Sequence, residues 1–385
     1  MPRQSSTWVA GAEGRGRGRG TRKHVVVVGA GILGVSIAYQ LALGGAQVTV
    51  LDKQEPGAGC TQGAFAMIIA SLPYASEEFS KLYGLAAGEW HALEAQIDEP
   101  LPTQWGGVVN WAAPGPKAEE LAAQTARLER WGSKVQRLTE DDVGRLVPGA
   151  VPGAFGAGNF LSDWGAIDLH KTFEILLRRA KDLGVTFRTP LEVTGISVAN
   201  SGAAVVEGGH EAIDADSVVV AAGAGSPDLT RHLGARVPLR LQSGTLAYSK
   251  PMPPTLNRVL NGPSGSIRQN PDGRIVTALD YAPGADGHDT GEAYGRALLA
   301  RTVQVVPALA GIELDKVTVG HVPIPKDSQP VTGFCDPRKT IYVAVMMSGI
   351  TMAPLMGRLI ATEVLGQPVQ LLEAYRPERF STSKL

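Results

Sequence analysis

The first strong pattern along the chain is an uncharged segment, residues 25–51, in which apolar positions follow two different periods. Four valines at 25–28 predict a strand, and apolar residues after the glycine-rich turn at 29–34 recur at helical spacing. Residues 48–51 predict a second strand, which stops at Asp52. The segment is long enough to cross a membrane, but its change of period predicts a buried β-α-β unit instead.

Strand and helix alternate again later in the chain. Asp168 is a predicted cap for a helix whose apolar positions lie between 173 and 180. Predicted strands follow at residues 185–187, 203–206, 217–221 and 341–346.

Two blocks differ from this alternating pattern. Residues 86–155 contain an amphipathic helix around 117–131, and residues 237–319 contain alternating strands broken by proline and glycine turns. We interpret them as one second domain that is inserted twice into the first. The predicted fold class is α/β, with an α+β second domain built on an antiparallel sheet. The predicted boundaries are 24–85, 156–236 and 320–380 for the first domain, and 86–155 with 237–319 for the second.

Length and charge narrow the function classes. The 385 residues favour two or three domains, and a net charge of −1 argues against a nucleic-acid scaffold. Residues 1–23 hold six basic residues and one acidic residue, so the rest of the chain carries −6. This segment has no apolar stretch and is predicted to be a disordered, solvated tail rather than a secretory signal. Contact of its RGRGRG run with nucleic acid is the less favoured alternative.

The two cysteines, Cys60 and Cys335, are too few and too far apart for a disulfide framework or a metal site. A reducing compartment is therefore expected, and we predict a soluble, cytoplasmic protein without a metal ion.

The sequence GAGILG at residues 29–34 matches a dinucleotide-binding turn. Its first glycine allows a tight turn, its second lets the backbone approach a pyrophosphate, and its third lets helix and strand pack closely. Asp52 follows Gly34 by 18 residues, where a carboxylate accepts hydrogen bonds from ribose hydroxyls. The alternative is a glycine-rich turn with Asp52 as a simple cap.

A second small-residue loop, EPGAGCTQGAFAMI, comes soon after Asp52. A typical NAD dehydrogenase would continue directly into another helix and strand. The loop allows backbone groups and the Thr61 hydroxyl to reach the pyrophosphate of a longer cofactor, which favours FAD.

At this point the chain resembles the D-amino-acid oxidase superfamily, which includes glycine oxidase and sarcosine oxidase. The similarity covers residues 24–380 and depends on the order of its pieces rather than on any one of them. The pieces are VVVVGAGILGVSIAYQLA, GAGCTQGAFAM, WGAIDLHKTFEILLRRAKDLGV, DSVVVAAGAGSPDL, LRLQSGTLAY, PDGRIV, GHVPIPKDSQPVTG and IYVAVMMSGITMAPLMGRLIATEVLG.

The resemblance implies a Rossmann-like FAD-binding domain, non-covalent FAD, and hydride transfer from the carbon next to an amine nitrogen to flavin N5. The implied partners are a small-molecule amine and O2 or another electron acceptor, with neither nucleic acid nor membrane. The implied cofactor-binding residues are Gly29, Ala30, Gly31, Ile32, Leu33, Gly34, Asp52, Lys53, Gly59, Cys60, Thr61, Ala66, Met67, Val193, Ala222, Gly223, Val322, Ser348, Gly349, Ile350 and Thr351.

Two departures from the family pattern concern the substrate. Val322 and Met347 stand where family members that oxidise free amino acids carry arginines for the substrate carboxylate. An apolar side chain cannot replace a bidentate arginine, so the substrate is predicted to be an amine or modified amino acid. Other candidates for substrate contact are Arg268, Lys326, Tyr248, Asp280 and Tyr281.

Two alternatives remain open at this stage. One is an FAD-dependent hydroxy-acid dehydrogenase that uses an acceptor other than oxygen. The other is a non-catalytic flavin-binding subunit of a complex. Arg268 also has an ordinary interpretation as a solvated strand residue, and Asp280 as a polar residue that ends a strand.

Overall fold

The structure is a computed structural model that describes residues 22–280 and 291–381. Most of the predicted tail and the candidate Tyr281 lie outside these residues. The strands are β1 (His24–Val28), β2 (Gln47–Leu51), β3 (Met67–Ile68), β4 (Thr103–Gln104), β5 (Val108–Ala112), β6 (Val135–Leu138), β7 (Ala157–Leu161), β8 (Gly165–Ile167), β9 (Thr186–Arg188), β10 (Val193–Val198), β11 (Ala204–Gly208), β12 (Glu211–Ala215), β13 (Ser217–Val220), β14 (Leu239–Pro251), β15 (Val259–Gly262), β16 (Gly265–Gln269), β17 (Arg274–Asp280), β18 (Leu314–Pro325), β19 (Val331–Phe334) and β20 (Ile341–Val345). The helices are α1 (Ile32–Leu43), α2 (Glu77–Ile97), α3 (Pro116–Arg130), α4 (Glu140–Leu146), α5 (Leu169–Asp182), α6 (Ser226–Thr230), α7 (Glu292–Val305) and α8 (Gly349–Val364).

A six-stranded sheet in the order β19-β20-β13-β1-β2-β9 carries the predicted β-α-β unit. β1 pairs in parallel with β2 and with β13, and α1 connects β1 to β2. β19 is the antiparallel edge strand. The valines of β1 are buried on both faces of the sheet, which explains why this segment has no polar alternation. The predicted α/β fold class is confirmed.

An eight-stranded sheet in the order β18-β14-β17-β16-β15-β5-β7-β6 is antiparallel except where β15 pairs with β5. Its strands come mainly from the two predicted inserted blocks. It also includes β7, which lies outside the predicted blocks, and β18, which crosses the predicted boundary at residue 319. The division into two domains with those boundaries stays a proposal. Two smaller sheets have the orders β3-β8-β4 and β10-β11-β12.

The main core lies where helices cover the six-stranded sheet. α1 and α8 cross closely because a Cβ at Gly357 would lie 2.3 Å from Ser36 Oγ. That hydroxyl donates to Ala353 O at 2.7 Å, so a buried polar group of α1 is satisfied by the backbone of α8.

Lys23, which the sequence assigns to the disordered tail, is held in the fold. Its carbonyl accepts from Gln47 N at 2.9 Å, and its Nζ donates to Val364 O at 2.6 Å. Val364 lies in the last turn of α8, where carbonyls have no intrahelical donor and a cation is favoured. The tail prediction is therefore wrong for this residue.

The loop at residues 59–63 crosses β18 with backbone against backbone. A Cβ at Gly63 would lie 2.3 Å from Gly320 Cα, and a Cβ at Gly320 would lie 2.3 Å from Gly63 O. Only glycine fits at both positions without a backbone shift. This contact joins the loop at residues 59–63 to β18, an edge strand of the eight-stranded sheet.

We predict that Gly320→Ala destabilises the protein by about 1–3 kcal/mol, because the new methyl group forces the two backbones apart. Urea unfolding monitored by circular dichroism measures the change. The matched control is Gly88→Ala, since Gly88 is exposed in α2 and a Cβ there meets nothing within 4 Å. An unchanged unfolding midpoint for Gly320→Ala would show that the crossing is not tight.

Candidate active site

The turn between β1 and α1 depends on two glycines. Gly29 has φ +113°, and a Cβ there would lie 2.3 Å from Ala221 O. A Cβ at Gly34 would lie 1.9 Å from Gly29 O. The turn therefore packs against the end of β13 with no room for a side chain, as a dinucleotide turn requires.

The N-terminus of α1 faces the second loop. Thr61 Oγ1 accepts from Ile32 N at 3.1 Å and lies 3.4 Å from where a Cβ of Gly31 would be. The N–H groups of Leu33 and Gly34 have no intrahelical acceptor because the helix begins at Ile32. These donors and the Thr61 hydroxyl suit a phosphate, and a larger residue at 31 would obstruct it.

Asp52 lies at the end of β2 beside this turn. Its carboxylate accepts from Ala30 N at 2.7 Å and from Gln54 N at 2.9 Å, and lone pairs remain on both oxygens for ribose hydroxyls. Its carbonyl accepts from Leu191 N at 2.6 Å, which brings the start of β10 at Val193 to the same end of the sheet.

Lys53 is an exposed residue beside Asp52. Its Nζ lies 3.8 Å from a carboxylate oxygen of Glu192, and both side chains are about two-thirds exposed. A pair of this kind contributes little to stability.

The second loop runs over residues 55–68. A Cβ at Gly59 would meet nothing within 4 Å, so this part of the loop is open. Burial raises the pKa of the Cys60 thiol to about 11, so Cys60 is a protonated thiol near pH 7. Ala66 has φ +62°, a conformation that favours glycine, and its carbonyl accepts from Ile167 N at 3.0 Å.

The third turn follows β13. Ala222 leads into Gly223, which has φ +55°, and a Cβ at Gly223 would lie 3.9 Å from Pro323 Cγ. Pro323 follows Val322 on β18, so this turn and the predicted substrate position are close together.

The last predicted flavin segment is the start of α8. Ser348 has φ +54° and precedes the first helical residue, Gly349, where a Cβ would meet nothing within 4 Å. Ile350 is buried. The N-terminus of α8 therefore opens onto free space and presents a partial positive charge there.

Thr351 connects this helix to β3. Its hydroxyl donates to Met67 O at 3.2 Å and accepts from Ile69 N at 3.1 Å, and the residue is 1% exposed. Its side chain therefore positions the segment that contains Met67 rather than facing open space.

These features fit an extended dinucleotide cofactor with a flavin ring. The start of α1 and the Thr61 hydroxyl can hold the pyrophosphate, a carboxylate can hold the ribose, and the start of α8 leaves space for the ring. The assignment of each residue to FAD stays a proposal.

The predicted substrate residues lie on the eight-stranded sheet. In the register of β14, β16, β17 and β18, side chains of Tyr248, Arg268 and Val322 point to one face, which we call the site face. The site face is the one that contacts the second loop, because Phe65 packs on Leu246 and Tyr248. Met347 is half-buried just before α8.

Arg268 is not solvated, so its interpretation as a solvated strand residue is wrong. It is 2% exposed, its Nε donates to Phe65 O at 2.7 Å, and its Nη1 donates to Asn270 Oδ1. Its guanidinium carbon lies 5.3 Å from the centre of the Phe65 ring. Burial lowers the pKa of Arg268. Arg268 therefore anchors the second loop to the sheet.

Tyr248 is 3% exposed, and burial raises its pKa. The His170 ring lies 6.0 Å from the Tyr248 ring, and Lys316 Nζ lies 4.8 Å from its centre. Burial, and then the charge of Lys316, lowers the pKa of His170, so this imidazole is neutral near pH 7.

The two remaining candidates are Lys326 and Asp280. Lys326 is exposed in the turn after β18, where its N–H donates to Pro238 O. Asp280 is the last residue of β17, with its backbone opposite Gly244.

Across residues 22–280 and 291–381, no group of three or more His, Cys, Asp or Glu side chains could hold a metal ion. Within the same residues, no helix has the length and apolarity needed to cross a membrane.

The sequence predictions omitted a set of polar side chains on the site face. The signal was present, because single asparagines interrupt the apolar strands VVNWA, AGNFL and VLNG. The residues are Asn110, Asn159, Asn261, Ser266 and, from α3, Thr125.

Comparisons with known proteins find the same class of cofactor and the same fold. A family model described as "DAO: FAD dependent oxidoreductase" matches residues 24–363. Glycine oxidase of Bacillus licheniformis is 27% identical over 93% of this chain and 98% of its own length. 4-Methylaminobutanoate oxidase (formaldehyde-forming) of Paenarthrobacter nicotinovorans is 25% identical over 94% of this chain, and the match covers 46% of that protein's length. The crystal structure of glycine oxidase from Geobacillus kaustophilus matches the fold with a TM-score of 0.84 at 22% identity, over 93% of this chain and 99% of that chain.

We predict that Asp52→Ala weakens FAD binding by about ten- to a hundredfold, because charge-assisted hydrogen bonds to the ribose are lost. Fluorescence titration of FAD into the FAD-free protein measures the affinity. Asp216→Ala is the matched control, since Asp216 accepts from His24 N at 2.7 Å at the opposite end of β1. Equal affinity for the Asp52 variant and the unchanged protein would contradict the ribose assignment.

We predict that Cys60 is alkylated at pH 8 about a hundredfold more slowly than free cysteine, because its raised pKa leaves little thiolate. The rate should rise as the pH approaches 11. Iodoacetamide labelling of the Cys335→Ser variant, followed by mass spectrometry, reports Cys60 alone. A rate at pH 8 equal to that of free cysteine would contradict the burial of this thiol.

Proposed function

Because the chain belongs to the DAO family of FAD-dependent oxidoreductases, which act on amines or amino acids, we propose that it oxidises a C–N bond of an amine or modified amino acid rather than a simple free amino acid. FAD is its cofactor. The observation that carries the proposal is the apolar pair Val322 and Met347 at the two places where the resemblance implies carboxylate-binding arginines.

The two cations that the sequence analysis named do not replace those arginines simply. Arg268 uses Nε and Nη1 to hold Phe65 and Asn270, and it is almost completely buried. Lys326 is exposed in the turn after β18. Neither cation is placed to pair with a carboxylate beside Val322, and a carboxylate that loses its water without gaining a cation is costly. A substrate that has no carboxylate at this place avoids that penalty.

The name of one relative supports the same class of substrate. 4-Methylaminobutanoate is a secondary amine whose carboxylate is remote from its nitrogen. The names of the relatives do not favour a hydroxy-acid dehydrogenase or a non-catalytic flavin-holding subunit.

FAD, when bound, supplies the hydride acceptor for oxidation of the carbon next to the amine nitrogen. The residues of this chain bind and orient it. α1, Thr61 and Asp52 would hold its phosphates and ribose, and the start of α8 would stabilise negative charge on its ring. Arg268 and Thr351 fix the second loop against the sheet and against α8, so the site face and the ring position have a defined separation.

The test is to mix the FAD-loaded protein with a panel of amines without oxygen and to measure reduction of the flavin by the loss of its absorbance. We predict that secondary amines such as 4-methylaminobutanoate bleach the flavin, whereas glycine and D-alanine at low millimolar concentration do not. The reason is that the apolar pair cannot neutralise a carboxylate next to the reacting carbon.

The Val322→Arg variant provides the matched comparison. It should gain reduction by glycine or D-alanine, because a guanidinium then faces the carboxylate. Rapid bleaching of the unchanged protein by glycine or D-alanine would contradict the proposal. A purified protein that cannot be loaded with FAD would contradict the cofactor assignment itself.

A further inference from the structure

One cross-strand row of the site face consists of polar side chains. The register aligns Asn159 of β7 with Asn110 of β5, Asn110 with Asn261 of β15, and Asn261 with Ser266 of β16. The next position in the row is Ala278 of β17. Asparagine is unfavourable in buried strands, so its repetition in one row needs an explanation.

These side chains form a continuous chain of hydrogen bonds, the asparagine row. Ser266 Oγ donates to Asn261 Oδ1 at 3.1 Å, and Asn261 Nδ2 donates to Asn110 Oδ1 at 3.0 Å. Asn110 Nδ2 donates to Asn159 Oδ1 at 2.8 Å, and Asn159 Nδ2 donates to Thr125 Oγ1 at 2.7 Å. The row thus runs across four strands and ends on α3.

The direction of these bonds is fixed at the helix. Thr125 Oγ1 lies 2.7 Å from Leu121 O, and a carbonyl can only accept. The single hydroxyl proton of Thr125 is therefore used there, so Thr125 must accept from Asn159. Each asparagine side chain donates through its nitrogen and accepts through its oxygen. The donor-to-acceptor direction that is set at Thr125 therefore holds for every bond of the row. At its far end, Ser266 must give its own single proton to Asn261.

Ser266 consequently has only lone pairs left for a further partner. Thr125 and Asn159 are each 2% exposed, whereas Ser266 is half-buried, so the row is sealed at α3 and reaches the accessible surface at Ser266. The neighbouring Ala278 is small and half-buried and packs against the cluster of Leu246, Tyr248 and Val276. Ser266 also shares the site face with Arg268, two residues further along β16.

We infer that Ser266 is a specificity-determining residue whose hydroxyl only accepts hydrogen bonds, and that the site selects a substrate group bearing an N–H or O–H at this position. The inference rests on the proposed function, because it takes the site face as the substrate-binding surface. A primary or secondary amine meets the requirement. A carboxylate or carbonyl would set lone pairs against lone pairs, and a neutral tertiary amine has no N–H to donate.

The test uses two neutral probes of nearly equal shape, 2-acetylpyrrole and 2-acetylfuran, titrated by calorimetry into the FAD-loaded protein. The first presents an N–H where the second presents an ether oxygen. We expect the pyrrole to bind about tenfold more tightly, because one hydrogen bond is gained and one repulsion is avoided. The Ser266→Ala variant should bring the ratio of the two affinities close to one.

A second variant tests the direction of the row at a distance. Thr125→Val preserves the shape of the side chain but removes the hydroxyl that fixes the direction of the hydrogen bonds. The ratio of the two affinities should therefore fall, although four side chains lie between Thr125 and the probe. Thr125→Ser should keep the ratio and controls for folding of α3.

A ratio near one in the unchanged protein, an unchanged ratio in Ser266→Ala, or no binding of either probe would overturn the inference. Failure of the proposed function can be distinguished from failure of this inference. In that case no amine reduces the bound FAD, whatever the affinities of the two probes.

Discussion

The site depends on the backbone contact between Gly63 and Gly320. This contact determines how closely the second loop approaches the eight-stranded sheet, since a side chain at either glycine would occupy the position of the other backbone. The Arg268 hydrogen bond to Phe65 O acts at the same junction, and Thr351 holds Met67 from the side of α8. A cofactor ring placed between α8 and the sheet would therefore meet surfaces whose separation is set by a backbone contact and by two buried side chains.

The nucleotide-binding half could be predicted from the sequence because its requirements are local. A turn that lacks room for a Cβ must be glycine, so Gly29 and Gly34 mark it without any knowledge of the fold. Asp52 follows because a strand of known length ends there. The cap at Asp168 and the helix that it begins were predicted for the same reason, and Asp168 does accept from Lys171 N. Periodicity and motif spacing place these features within short stretches of chain, although the contact of Gly29 with Ala221 cannot be seen in the sequence.

The substrate side could be predicted only in part because its properties are not local. The sequence shows Arg268 on a strand, but its burial depends on Phe65, which lies 203 residues away in the chain. The asparagine row combines strands from both inserted blocks with β7 and α3, and no period within one segment reveals that register. Lys23 was misassigned for a similar reason, since its partner Val364 belongs to the opposite end of the chain.

The departures at Val322 and Met347 and the asparagine row affect recognition in the same direction. Replacing guanidinium groups by apolar side chains removes donors from the site, and the row adds an acceptor at Ser266. A surface with fewer donors and one fixed acceptor no longer complements an anion, because the hydrogen bonds that an anion needs come from donors. It complements a group that carries its own hydrogens. The buried end of the row at Thr125 makes this preference rigid, since reversing Ser266 would require every amide between them to turn and would leave two acceptors facing each other at the helix.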